Sequence, residues 1–333
     1  MPQDSDRAYM QRAIDIARNG PISDNPRVGA VIVRNHRVVG EGFHNGAGTP
    51  HAEVEAIAQA GDLARGAQMF VSLEPCAHHG RTGPCTEAII ASGVESVILA
   101  QTDPTTQAAG GAQVLRDAGI RVRAGFLATE AERLNRAWTH WVTTGSPFVT
   151  WKFAQSIDAR VAHMQGARTS ISGVEAQVAT HALRSEVDAI VVGTRTVLID
   201  DPQLTARDSN EGLASRQPLR VVVGESNIPP GASLLTTAGG EVIHLRTHDI
   251  SRVLHELSGR GVKHILVEGG PTLAGAFLRA GAVHQVITVI APVTFGAGPQ
   301  ALNALLEPHY SVSHIHWERL GKDLVISGTP VRR

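Results

Sequence analysis

Leu73-Glu-Pro-Cys-Ala-His-His-Gly-Arg-Thr-Gly-Pro-Cys85 contains both cysteines of this 333-residue chain. It follows the apolar run Met69-Phe-Val-Ser-Leu73, which reads as a buried strand, and leads into a helix from about Cys85 to Ser92 that stops at Gly93. A disulfide between the two would add little to a chain of this length, and cytoplasmic thiols stay reduced. Metal ligation is the better reading, because His51-Ala-Glu53, at another expected helix start, adds an imidazole. Outward from this stretch, strands and helices alternate. A helix is expected from about Arg7 to Asn19 with Asp6 as its cap, and then a hairpin of Val28–Val33 and Arg37–Val39 turning at Arg34-Asn35. A helix from about His51 to Ala60, strand Ser96–Ala100, a helix near Ala112–Ala118 and strand Ile120–Val122 complete a central sheet with helices on both faces.

Thr129-x-x-Glu132 reads as a capping box for a helix whose apolar stripe is Ala131, Leu134, Trp138, Trp141 and Val142. Gly145-Ser-Pro147 ends that helix, and the domain boundary is placed there, giving domains 1–145 and 146–333. The second half then starts its own α/β series. Strand Phe148–Phe153 precedes a second capping box, Ser172-x-x-Glu175, and a helix to about Val187. Strand Ala189–Gly193, a loop rich in Asp and Arg, and strands Leu219–Val223 and Val242–Leu245 follow. A helix near Val253–Ser258, strand Ile265–Glu268, a helix after Pro271 and strand Val286–Ile290 close the series.

Lys and Arg total 30 against 31 Asp and Glu, so no basic excess suits a nucleic-acid backbone and no basic block suits a membrane surface. The first residues lack the layout of a signal peptide, and no apolar run is long enough to span a bilayer. The cytoplasm is the expected location.

A neutral imidazole and two thiolates make a three-ligand zinc site with one position left for water. Zinc lowers the pKa of such a water from about 15.7 towards about 7. Glu53, two residues after the histidine, would move protons without ligating the metal, a division of labour found in zinc deaminases, whose signature joins H-x-E to P-C. The alternative is a structural zinc knot, which normally has four protein ligands, with His44, His78 or His79 as the fourth. His140, His181, His314 and His316 are read as surface or core fillers.

Deaminases of nucleosides, free cytosine or tRNA adenosine usually carry P-C-x-x-C, whereas the segment between Cys76 and Cys85 is longer. It resembles the deaminase of the bifunctional riboflavin-biosynthesis deaminase/reductases, whose pattern is close to L-E-P-C-x-H-x-G-[KR]-T-x-P-C. Leu73, Glu74, Pro75, Cys76, His78, Gly80, Arg81, Thr82, Pro84 and Cys85 match it, as do Asn25-Pro-Arg-Val-Gly-Ala-Val-Ile-Val33, Gly40-Glu-Gly-Phe-His44 and Pro50-His-Ala-Glu-Val54. The resemblance implies a cytidine-deaminase-like three-layer α/β domain acting on a diaminopyrimidinone that bears a phosphoribosylamino group. Asn25 and His44 would hold the ring, and Arg81 and Thr82 would reach the phosphoribosyl end. Where the family has D-P-N-P, this chain has Asp103-Pro-Thr-Thr106.

Read on its residues, the second half is less specific. Val267-Glu-Gly-Gly-Pro-Thr-Leu273 is a strand, a glycine turn and a helix whose N-terminus favours an anion. Hydroxyls and carboxylates cluster in Gly193–Thr205, after a buried strand, and Arg184 and Arg207 are suited to grip phosphate. No G-x-G-x-x-G is present, which argues against an ordinary dinucleotide-binding fold. Trp151-Lys-Phe-Ala-x-Ser-Ile-Asp158, the Gly193–Thr205 segment, Arg216-Gln-Pro-Leu-Arg220 and Glu268–Ala276 resemble the same family's reductase domain, similar in fold to dihydrofolate reductase. That resemblance implies NADPH-dependent hydride delivery to the ribose C1′, after ring opening to an imine, giving a ribitylamino chain. Ala154, Ser170, Thr196, Asp200, Gly270, Pro271, Thr272, Leu273, Ala274, Gly275 and Ala276 would bind the cofactor. Lys152, Arg168, Arg184, Leu204, Arg207 and Glu268 would face the substrate. It further implies a homo-oligomer formed through the reductase domain.

The match departs at Asp158-Ala-Arg160, for D-G-[RK], and at Gly166-Ala-Arg-Thr-Ser-Ile-Ser172, for G-x-S-x-W-I-[ST]. Arg168 thus replaces a substrate-binding serine and Ser170 a tryptophan that lies against the cofactor. Three alternatives stay open: a deaminase with an impaired reductase domain, a deaminase of another base or nucleotide, and a structural zinc-binding protein.

Overall fold

Apolar residues point to both faces of the central strands of the first sheet, so these strands are buried twice over and a helical layer covers either side. The computed structural model describes residues 2–80, 82–302, 304–307 and 309–333, and the chain divides into the units Met1–Gly145 and Ser146–Arg333. The first unit runs α1 (Pro2–Ala17), β1 (Gly29–Arg34), β2 (Arg37–Phe43), α2 (Ala52–Ala60), β3 (Gln68–Leu73), α3 (Cys85–Ser92), β4 (Ser96–Gln101), α4 (Gly111–Asp117), β5 (Arg121–Ala124) and α5 (Ala128–Thr144). The sheet order is β2-β1-β3-β4-β5, with β1 antiparallel to both neighbours and β3, β4 and β5 parallel. Ile32, Met69, Val71, Val97 and Leu99 pack with Ala52, Ala56, Ile89 and Leu115 on one face. Val31, Val33, Phe70 and Ile98 pack with Met10, Ala13, Ile14 and Ala131 on the other. Burial on both faces explains the near-continuous apolar runs in β1, β3 and β4.

Three local expectations are corrected. Helix α1 begins at Pro2, so Asp6 lies inside it. The hairpin turns at Asn35-His36, whose φ values of 51° and 61° suit the tight two-residue turn that matches strand twist. Leu127, at φ 59°, precedes α5, so Thr129 is no cap. Helix α5 also kinks at Asn135, which is buried; its side chain accepts from the Arg27 N–H (2.9 Å) and donates to the Arg27 carbonyl (2.9 Å). Asn135 thereby anchors the segment that carries Asn25. Of the expected α5 stripe, Ala131 and Leu134 are buried while Val142 is exposed.

The second unit runs β6 (Phe148–Ser156), α6 (Val174–Glu186), β7 (Ala189–Gly193), α7 (Thr194–Asp200), β8 (Leu219–Val223), α8 (Ser233–Thr236), β9 (Val242–Leu245), α9 (Ile250–Gly259), β10 (His264–Val267), α10 (Pro271–Arg279), β11 (Gln285–Ala291), β12 (Tyr310–Leu320) and β13 (Asp323–Arg332). Its sheet order is β12-β13-β11-β6-β10-β7-β8-β9. Strands β11 through β9 in that order are parallel, and the β12–β13 hairpin joins antiparallel. Ligand sites in parallel sheets lie at the carboxyl ends of the strands, and of the segment expected to be a loop after β7 the first part, Thr194–Asp200, is helix α7. The Ser172-x-x-Glu175 box does not cap α6 either. Asp323, fully buried at the start of β13, accepts the N–H of the Gly173 cap at 2.6 Å.

Candidate active sites

Two tight backbone approaches set the geometry of the first site. A Cβ on Gly42 of β2 would lie 2.4 Å from the Ala52 carbonyl, so glycine lets α2 sit against the sheet and fixes where His51 and Glu53 stand. A Cβ on Gly111 would lie 1.8 Å from the Pro75 carbonyl, so the start of α4 rests directly on the Pro75-Cys76 turn. Glu74 locks that turn: its carboxylate accepts from the N–H groups of Asp103 (3.1 Å), Gly110 (3.2 Å) and Ala112 (2.9 Å). Sequence reasoning had Glu74 only as a position in a motif; a carboxylate between an apolar strand and the Pro75-Cys76 turn was the available signal.

His51, just before α2, Cys76, after β3, and Cys85, first in α3, bring their ligand atoms within 4.8 Å of one another. His51 Nδ1 lies 3.0 Å from Cys85 Sγ and 3.6 Å from Cys76 Sγ, and the sulfurs are 3.5 Å apart, too far for a disulfide. Hydrogen bonds from the Cys85 side chain and then from His51 hold the Cys76 thiol down to about 4, while the bond to Cys76 and burial push Cys85 up. An imidazole and two sulfurs this close together form a donor set that a zinc ion fits. Among the described residues no fourth His, Cys, Asp or Glu joins the cluster. His79 instead meets Glu87 at the surface (3.3 Å).

Glu53 is 3 % exposed, and burial pushes its carboxyl up, which suits a group that must both take and release a proton. His44, also buried, has its basicity lowered by desolvation. Its Nδ1–H donates to the Pro50 carbonyl (3.3 Å), which leaves Nε2 to accept from Asn25 Nδ2 (2.9 Å). The His44 ring stands edge-on to His51, with centroids 5.1 Å apart. Thr82 Oγ1 lies 3.3 Å from His51 Nε2. Arg81 lies outside the described residues. Thr105, at the departure from the family pattern, turns its hydroxyl onto Asp103 (2.6 Å).

In the second unit, β6 carries Lys152 and Ala154, which pair with Ile287 and Val289 of β11, and Glu268 directly follows β10 on the other side of β6. Arg184 of α6 grips Glu268 with two parallel bonds, Nε to Oε1 at 2.8 Å and Nη2 to Oε2 at 2.7 Å, and also donates to the Thr205 carbonyl (3.1 Å). Burial acts to raise Glu268, but Arg184, Lys152 and His181 outweigh it and hold the carboxyl down to about 2. Desolvation lowers Lys152, with Glu268 opposing. His181, read from sequence as a filler, donates from Nδ1 to the same Thr205 carbonyl (3.1 Å) and belongs to this charged cluster. Its place three residues before Arg184 on a helix was the signal that went unused. Leu204 is buried in the left-handed region (φ 55°), a strained setting for a branched residue. Arg207 is engaged by the Glu211 carbonyl (2.7 Å) and Gln203 (2.8 Å).

Pro271 opens α10, and a Cβ on Gly270 would reach van der Waals contact with Thr196 Oγ1, at 3.9 Å, so the Thr196 hydroxyl lies close to the glycine turn. Leu273 and Ala274 turn into the core, which leaves their backbone, not their side chains, for a ligand. Burial raises the Asp200 carboxyl, and the Arg168 charge opposes that rise, so the residue that departs from the family pattern stands near the expected cofactor contact. Ser170 is exposed.

Residues 3–101 match the cytidine and deoxycytidylate deaminase zinc-binding region, and residues 147–326 match the RibD C-terminal domain. The riboflavin biosynthesis protein RibD of Mycobacterium tuberculosis strain H37Rv is 45% identical over 315 residues, 92% of each chain. Its counterpart in Aquifex aeolicus is 37% identical over 355 residues, covering 98% of this chain and 99% of that protein. The structure of Acinetobacter baumannii RibD superposes with a TM-score of 0.83 at 34% identity, over 99% of this chain and all of that one. A diaminohydroxyphosphoribosylaminopyrimidine deaminase/5-amino-6-(5-phosphoribosylamino)uracil reductase from Thermotoga maritima gives 0.84 at 30% identity with the same coverage. The zinc-ligand cluster, the dihydrofolate-reductase-like second unit and these whole-length likenesses lead to one conclusion: the chain belongs to the RibD family, bifunctional riboflavin-biosynthesis enzymes that join a zinc-binding deaminase to a reductase.

Proposed function

We propose that the first unit deaminates 2,5-diamino-6-(phosphoribosylamino)pyrimidinone and that the second, with NADPH, reduces the ribosyl group of the deaminated product to ribityl. One observation carries the first step: an imidazole and two sulfurs converge within 4.8 Å beside a buried carboxyl. His51, Cys76 and Cys85 would hold the zinc ion, which when bound would supply a water acidified from a pKa of about 15.7 towards about 7. Glu53, buried and with its carboxyl pushed up, would carry a proton from the attacking water to the departing amine. A C–O bond forms, the C–N bond breaks and ammonia leaves. Asn25 and His44, fixed to each other and to Pro50, are assigned to the ring by resemblance. Arg81 and Thr82 are assigned to the phosphoribosyl end by resemblance.

In the second unit, Lys152, Arg168, Arg184, Leu204, Arg207 and Glu268 face the sugar chain. Ala154, Ser170, Thr196, Asp200 and the Gly270–Ala276 turn would hold the cofactor. NADPH supplies the hydride; the protein orients it and sets the local field. The Arg184–Glu268 pair is rigid, bidentate and largely buried, with side chains 16% and 12% exposed. It therefore offers a fixed polar edge to a polyhydroxylated chain. The resemblance also supports self-association through this unit and a cytoplasmic location. Among the described residues no helix is long and apolar enough to cross a membrane.

A second reading rests on Arg168 near Asp200: a deaminase whose reductase site is impaired. One assay separates the two. Zinc-loaded protein is given the diaminopyrimidine substrate and NADPH, and ammonia and cofactor absorbance are followed together. Ammonia release with steady NADPH oxidation is the expected result. Ammonia without oxidation, repeated with the deaminated compound as substrate, establishes the second reading.

A further inference from the structure

The long segment between the two sulfur ligands returns at its far end to the third ligand. Thr82 stands just before Pro84 and Cys85, in a turn closed by the Gly80 N–H bonding to the Thr82 carbonyl (3.2 Å). Its hydroxyl oxygen is 3.3 Å from His51 Nε2, while His51 Nδ1 faces the two sulfurs. A neutral imidazole has a single N–H. For Nδ1 to ligate, that proton must sit on Nε2, where it needs an acceptor. The neighbouring His44 offers none, because its nitrogens are engaged by Pro50 and Asn25. The position of His51 before α2 adds no restraint of its own, since the side chain makes no cap bond there.

We infer that Thr82 is a positioning residue for the zinc ligand His51: its hydroxyl accepts the Nε2–H bond, fixing the tautomer and the ring plane that turn Nδ1 to the metal. The inference rests on the zinc reading of His51, Cys76 and Cys85, and it gives the long segment a task at the metal besides any at the substrate. Outer partners of ligating histidines typically contribute ~10–100-fold to metal affinity.

The test uses the full chain with Thr82→Val and Thr82→Ser. Zinc affinity is read by competition with a chromophoric chelator, and ligand geometry by the visible spectrum of the cobalt(II)-loaded protein. The valine variant is expected to bind zinc ~10–100-fold more weakly with an altered cobalt spectrum, and the serine variant to restore both. A valine variant that holds zinc as tightly as the parent and gives the parent spectrum overturns the inference. A rise in KM with those readings unchanged overturns it as well, because Thr82 is then a substrate contact alone. Should the valine variant fold poorly, Thr82→Ala carries the same reading with less crowding. A parent protein that binds no zinc refutes the ligand set itself, a different failure from that of Thr82.

Discussion

The two halves of this molecule build their sites in opposite ways. The zinc cluster is nearly local: two ligands and the Thr82 hydroxyl come from one short segment, and the third ligand, His51, which Thr82 contacts, stands just before the adjacent α2. The charged cluster of the second unit joins residues far apart in sequence, Arg184 to Glu268 across 84 positions, with Thr205 and Lys152 alongside. A site written in one segment tolerates sequence drift elsewhere. A site assembled from several strand ends depends on the whole sheet, so a departure such as Arg168 bears on it more heavily.

If the halves are independent in this sense, Glu53→Gln should have the largest effect and the narrowest reach. Ammonia release is expected to fall by ~10²–10⁴-fold, with zinc content and NADPH oxidation on the deaminated compound unchanged. Loss of NADPH oxidation as well would break the comparison. Arg184→Leu is the counterpart in the second unit. It leaves Glu268 buried without its partner and should cost about 3–5 kcal/mol of that unit's stability, read by denaturant unfolding. Ammonia release should persist in that variant under native conditions.

The pH dependence sharpens the same contrast. Glu268 is depressed to about 2 from an ordinary value of 4.5. Its contribution is therefore fully present above about pH 4.5 and is lost as pH falls from there towards about 2. In Arg184→Leu that acid-side loss should shrink, and a thermal melt followed against pH will show whether it does. Gly42→Ala should come next, at ~1–3 kcal/mol, because the new methyl meets the Ala52 carbonyl and displaces α2. Deamination should suffer from it and reduction should not. Asp323→Ala should be the smallest, at ~0.5–2 kcal/mol by loss of the α6 cap. There the reduction rate, rather than deamination, is expected to fall.

Much of the first site was legible because its chemistry is contiguous: a cysteine pair, H-x-E and the glycine-bearing strand β2 are all short-range signals. The Asn135 clasp on Arg27 was not, since an asparagine in a helix gives no hint of a partner across 108 positions. In the second unit, strands β7, β8 and β9 matched their expected bounds; β7 and β8 are buried parallel strands that read as plain apolar runs, and β9 is a short half-buried edge strand. The β12–β13 hairpin was not foreseen. Trp317 of β12 is 68% exposed, the register shifts between Ser313 and His316, and no alternation survives to mark a half-buried strand. Both expected capping boxes failed for one reason. A Ser/Thr with a Glu three residues on is a local pattern, whereas the helix starts here were set by Leu127's left-handed backbone and by Asp323 from afar. The Arg184–Glu268 pairing was foreseeable only as two separately assigned residues.

The bond from Asp323 to Gly173 also orders events during synthesis. The helix that carries Arg184 waits for a carboxylate made 150 residues after its first turn, roughly 8–30 s at a translation rate of ~5–20 residues per second. The three zinc ligands, by contrast, have all been made by residue 85. On a translating ribosome the metal-binding half therefore has its complete ligand set long before the reducing half can finish its sheet. Nascent chains arrested before residue 323 should present α6 with its first turn unlatched, as the stretch most open to a protease.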